Sequence, residues 1–160
     1  MEQGDSTKGL ESLVVWQKAK EFAVLVCREV LHRFPLEEKW GLTAQLRRAV
    51  QSVPANIAEG FGRYYYQEGV RFCYIARGSL EEAYSHLCLA RDLGYLPMED
   101  FSPIEQEIDG VRRMLHGYIG FLKRSKRGEN DPGSDKFVRE PLVEWIDAAD
   151  QGDESAPVVP

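Results

Sequence analysis

The stretch that most constrains this chain is GLTAQLRRAVQSVPANIAEGFG, Gly41 to Gly62. Leu42, Leu46, Ala49/Val50, Val53, Ile57 and Phe61 recur at gaps of three and four residues. That spacing predicts one long helix with a single apolar stripe. Pro54 interrupts it. Proline lacks an N–H and crowds the carbonyl four residues back, here Val50, so a bend is expected. Asn56 follows in the same turn, and its amide can satisfy a backbone group that the bend frees. Gly60 and Gly62 suit a left-handed residue at the helix end.

Three further segments carry the same period. The first runs from Ser12 or Leu13 to about Arg33, with Leu13, Trp16, Ala19/Lys20, Ala23, Val26 and Val30 on one side. Ser12 is the expected N-cap, and Phe34-Pro35 ends the helix. The third helix is expected from Gln67 to about Leu93, with Val70, Cys73/Tyr74, Ala76/Arg77, Leu80, Ala83/Tyr84, Leu87 and Ala90/Arg91 on one side. Gly78 in its middle costs ~1 kcal/mol relative to alanine, which points to a neighbouring helix in close approach. Gly94 ends that helix. The fourth starts around Ser102-Pro103, a cap followed by proline at the first helical position. Ile104, Ile108, Val111, Leu115, Tyr118 and Leu122 then form a heptad seam, and Lys123 to Arg127 close it. No period-2 strand pattern is present. The fold class is therefore all-α, an antiparallel up-and-down four-helix bundle over residues 12–127. Residues 1–11 are expected to be flexible.

Charge is distributed unevenly. Of 26 acidic residues, nine fall in residues 128–160, against two of the 20 basic ones, so that segment carries −7 and the remainder +1. The bundle is followed by an acidic linker and tail. Within it, Pro141 can open a short docking helix over residues 141–149. Phe137, Val138, Leu142, Trp145 and Ile146 are the candidate partner-binding residues of the tail. A tethered acidic tail can also screen a basic surface until a partner captures it. Cys27, Cys73 and Cys88 are odd in number, widely spaced and set in apolar helical contexts, and read as buried free thiols of a reducing compartment. No run has the length and apolarity of a signal core or a membrane span, so a cytoplasmic protein without membrane contact is expected.

The chemistry-bearing residues form no catalytic constellation. No glycine-rich phosphate loop occurs. His32, His86 and His116 fall on three different helices, short of the convergent ligands that a metal needs. The chain is read as a non-enzyme with no cofactor and no metal. The basic residues carry the functional reading. Arg47, Arg48, Arg63, Arg71, Arg77, Arg112, Arg113, Lys123, Arg124, Lys126 and Arg127 are candidate phosphate contacts if several share a surface. The competing reading is solvated helix faces held by pairs such as Glu107 or Asp109 with Arg112 or Arg113, or Glu59 with Arg47 or Arg48. The run Tyr64-Tyr65-Tyr66 is read as covering the end of the bundle, with base stacking as the alternative.

The core block GLTAQLRRAVQSVPANIAEG resembles that of the four-helix proteins encoded in intervening sequences of large-subunit ribosomal RNA genes. The accessory variability protein of diversity-generating retroelements belongs to the same family. The resemblance extends through VVWQKAKEF (Val14–Phe22), FPLEEKWGL (Phe34–Leu42), RFCYIARGSLEEA (Arg71–Ala83) and LGYL (Leu93–Leu96), covering roughly residues 13–126. It implies a pentameric assembly and, from the retroelement protein, binding to RNA or DNA and to a reverse transcriptase. The expected function is a pentameric, non-enzymatic accessory protein that binds nucleic acid within a ribonucleoprotein. The alternative is an oligomeric scaffold whose tail docks a protein partner. The acidic tail lies outside the resemblance.

Overall fold

Helix directions follow from a few side-chain meetings. The structure, a computed structural model, describes residues 6–131. The elements are α1 (Ser6–Glu11), α2 (Val14–Leu25), α3 (Leu42–Phe61), α4 (Tyr66–Asp92) and α5 (Met98–Ser125). A π-turn (Val26–Val30) and a 3-10 turn (Leu31–Arg33) continue α2, and a second 3-10 turn (Leu36–Lys39) precedes α3. No strand occurs among the described residues. Ser52 meets Ser79 while Gly60 meets Gly69, so α3 and α4 run in opposite directions. Leu122 reaches Gly69 while Glu105 meets Tyr84, so α4 and α5 are also antiparallel. Lys18 pairs with Glu107 and Arg33 with Asp100, which sets α2 against α5 in the same sense. The helix α2 also packs on α3.

The predicted stripes are the core. Leu46, Val50, Val53 and Ile57 of α3 are fully enclosed with Leu80, Leu87, Ile108, Val111 and Leu115. Phe22 and Val15 join from α2, while Trp16 is only half-buried. Ile119 completes the α5 stripe, with Tyr118 and Leu122 at its margin. Cys73 lies in this core, and burial raises its thiol to about 12, which keeps it protonated and unreactive.

Several local expectations need correction. Ser6–Glu11 is helical rather than loose. Ser12 is not the N-cap of α2: its hydroxyl donates back to the Gly9 carbonyl at 2.8 Å, and Leu13 takes the cap position. Gly62 ends α3 with right-handed angles, and Gly60 lies inside the helix. Its role is space, because a Cβ there would sit 2.9 Å from the Phe72 Cβ and 3.0 Å from the Gly69 carbonyl oxygen. The close approach expected at Gly78 is therefore found at Gly60, and a Cβ on Gly78 would meet nothing within 4 Å. α3 continues through Pro54 as one helix. The Asn56 amide donates to the Ser52 carbonyl at 2.8 Å, not to the Val50 carbonyl that proline deprives of its donor. α5 begins one turn earlier than Ser102-Pro103, at Met98 after Pro97. Ser102 is inside the helix and donates to the Met98 carbonyl.

Gly94 behaves as read. Its φ of +77° closes α4, with Tyr95 N–H on Ala90 O and Gly94 N–H on Arg91 O, both 2.9 Å. This paired return is the Schellman arrangement. At the other end, the tyrosine run covers the helix ends. Tyr64 and Tyr65 meet edge to face at 5.2 Å, and the Tyr66 N–H donates to the Arg127 carbonyl.

The two glycines make opposite predictions. Gly60→Ala should lower stability by roughly 1–3 kcal/mol through overpacking against backbone. Gly78→Ala should raise it by about 0.4–1 kcal/mol, since the position is helical and open. Urea unfolding midpoints of the two variants check both signs.

Candidate nucleic-acid interface

The most exposed large apolar side chains sit on the short turn before α3. Leu36 is 87% exposed and Trp40 is 83% exposed. The turn is held from beneath by Glu38. Its carboxylate accepts the Leu42 N–H at 2.9 Å, capping the N-terminus of α3, and the Tyr95 hydroxyl at 3.2 Å. An anion at that end also opposes the helix dipole favourably. Gly41 leaves room for it: a Cβ there would lie 2.6 Å from the Glu38 Oε2 and displace it. Tyr95 is fixed in turn by Phe34, with ring centroids 5.8 Å apart.

Above this anchor lies a shallow depression of about 300 Å³, lined by Lys39, Trp40, Thr43, Ala44, Arg47 and Arg48. Thr43/Ala44 and Arg47/Arg48 step by three and four and share one face of the start of α3, and Lys39 and Trp40 of the preceding turn border it. The Lys39 ammonium stands 5.1 Å from the Trp40 ring centroid. Arg47 and Arg48 are exposed and form no ion pair among the described residues. The pairing of Glu59 with either is not formed, because Glu59 binds Arg63 four residues on. Around the depression Lys39, Arg47 and Arg48 outnumber the acids Glu37 and Glu38 by one.

The other basic candidates divide into three groups. Arg112 is caged: it makes a two-toothed bond to Glu81, both contacts 2.6 Å, and a third to Asp109 at 2.7 Å. These carboxylates raise its pKa further, the hydrogen bonds to Glu81 leading. Its guanidinium also lies 4.8 Å from the Tyr84 ring centroid. Arg63 is held by Glu59, and Lys126 by Glu129 at 3.2 Å. A second group lies against aromatic rings: Arg77 at 5.2 Å and Lys123 at 5.6 Å from Tyr74, and Arg127 at 4.8 Å from Tyr64. The third group, Arg71, Arg113 and Arg124, is exposed and without ion pairs among the described residues. The tail candidates Phe137, Val138, Leu142, Trp145 and Ile146 lie outside the described residues.

Polar groups inside the body are engaged in packing. The Ser52 and Ser79 hydroxyls share a hydrogen bond of 2.9 Å across α3 and α4, and Ser79 also donates to the Ile75 carbonyl at 3.1 Å. Ser79 thus meets a carbonyl and a second hydroxyl, neither of which is a general base. Among the described residues, no three His, Cys, Asp or Glu side chains are grouped to hold a metal ion. None of the described helices is long and apolar enough to cross a membrane.

A family model for the 23S rRNA-intervening sequence proteins matches residues 11–117, well over half of the chain, and the chain belongs to that family. The comparison with curated proteins returns no match.

The caged state of Arg112 separates packing from binding. Arg112→Ala should lower stability by about 1 kcal/mol or less, as expected for partly exposed pairs. It should leave any nucleic-acid affinity, and its salt dependence, unchanged. Thermal unfolding and a salt titration of the same variant test both halves.

Proposed function

We propose that this member of the 23S rRNA-intervening sequence protein family is a non-enzymatic accessory protein that binds nucleic acid through the face formed by Lys39, Trp40, Arg47 and Arg48. The observation that carries this reading is a group of exposed cations, with Arg47 and Arg48 unpaired among the described residues, beside an exposed aromatic ring. Phosphates are the natural partners of such cations. The body is read as an antiparallel up-and-down four-helix bundle formed by α2 to α5, and the helix directions above support that. The proposed assembly is a homopentamer, supported by the resemblance and by exposed Val24, Ile75, Leu89 and Phe121 on α2, α4 and α5. A ribonucleoprotein containing a reverse transcriptase is the setting that the resemblance favours. The free thiols of Cys27, Cys73 and Cys88 suit a reducing cytoplasm. The scaffold reading draws on the same exposed apolar residues, which also suit a protein partner.

Arg47→Ala combined with Arg48→Ala should weaken RNA or DNA binding at low salt. The slope of log affinity against log salt should flatten by roughly 1 to 2, as two phosphate contacts are lost. A flat response would favour the scaffold. Light scattering at micromolar concentration should give a pentamer mass, and a stable monomer would remove the assembly.

A further inference from the structure

We infer that the Trp40 face takes single-stranded nucleic acid, with an unpaired base stacked on the indole and the adjoining phosphates held by Lys39, Arg47 and Arg48. The inference rests on the nucleic-acid reading above and adds the class of substrate. An indole exposed this far packs little against the described residues. The backbone turn that carries it is tied down at Glu38 by the α3 N-terminus and by Tyr95. A pre-placed flat ring costs little ordering entropy when a planar ligand settles on it.

The chemistry around the ring selects the ligand. Base–aromatic stacking needs a free base face, which a duplex keeps inside its own stack and a single strand presents. The cations lie along one direction from the ring. Arg47 lies five residues into α3 from Leu42, about 7.5 Å along its axis at ~1.5 Å per residue. A strand whose base covers Trp40 therefore runs its backbone past Arg47 and Arg48. Lys39 flanks the ring from the other side, 5.1 Å from its centroid. Glu37, exposed on the same turn, is repelled by phosphate and confines the strand to the Arg47 side.

The test uses the full chain, a labelled 15-mer of oligouridine, and the duplex of that strand with oligoadenosine. Trp40→Ala should weaken oligouridine binding about tenfold, the scale of one lost stack. Duplex binding should change less than twofold, and the salt slope for oligouridine should be unchanged. Trp40→Phe should keep most of the affinity, and the quenching of tryptophan emission by oligouridine should disappear in it. Equal losses for strand and duplex, or no loss for either, overturn the inference while the Arg47 and Arg48 result stands by itself. A change in particle mass on Trp40→Ala, read by light scattering, also overturns it and makes the face a contact between copies. If the wild-type chain binds neither probe, this inference and the nucleic-acid reading fall together.

Discussion

The packing of α3 on α4 depends on one place where two backbones come nearly into contact. At Gly60 the space that a side chain would need is already filled by the Phe72 Cβ and the Gly69 backbone. A Cβ on Gly69 would in turn lie 3.4 Å from the Gly60 carbonyl oxygen and 3.4 Å from a Leu122 methyl of α5. Three helices therefore share a single narrow point. Farther along the same interface, the hydroxyls of Ser52 and Ser79 replace apolar packing with a shared hydrogen bond. Small residues at both places let α3 and α4 lie close over much of their length. The buried apolar residues then follow from helical period alone, because only one stripe of each helix can face inward.

This explains what was readable in the residue order and what was not. The stripes of α3, α4 and α5 were legible because gaps of three and four residues report burial directly. The end of α4 at Gly94 was legible because a left-handed residue there calls for glycine. The roles of Gly60 and Gly78 were not, because glycine in a helix marks either a close neighbour or nothing, and only the partner helix decides. The start of α5 was missed for a related reason. Ser-Pro is a strong start signal, yet Pro97 supplies one a turn earlier, and Ser102 satisfies itself by bonding back to Met98. At the candidate site, Arg47 and Arg48 were legible as residues, but not the groups around them. Glu59 reads as an acid that would pair with them, and only the fold shows it bound to Arg63.

The charges make the same point about magnitude. The body of the chain is close to neutral, a balance that says little about any one surface. Arg112 and Arg63 sit in carboxylate cages, so freeing them for phosphate would first break existing pairs. Arg77, Lys123 and Arg127 rest on aromatic rings and are spread over other parts of the surface. A near-neutral total is thus compatible with exposed cations grouped on one face, as at Lys39, Arg47 and Arg48.

The hydrogen bond from Tyr95 to Glu38 spans 57 residues of sequence. The turn that displays Trp40 is consequently not a local hairpin that forms by itself. It is complete only when α3, the end of α4 and the loop before α5 have all come together. Contacts of such long range form late, since loop closure must precede them. The face is therefore tied to the global unfolding equilibrium rather than to fraying of one helix, and amide exchange at Leu42 would follow the whole body. A newly made or partly unfolded chain carries the same tryptophan and arginines without the surface they build together, so the folded state itself acts as the switch that turns this face on.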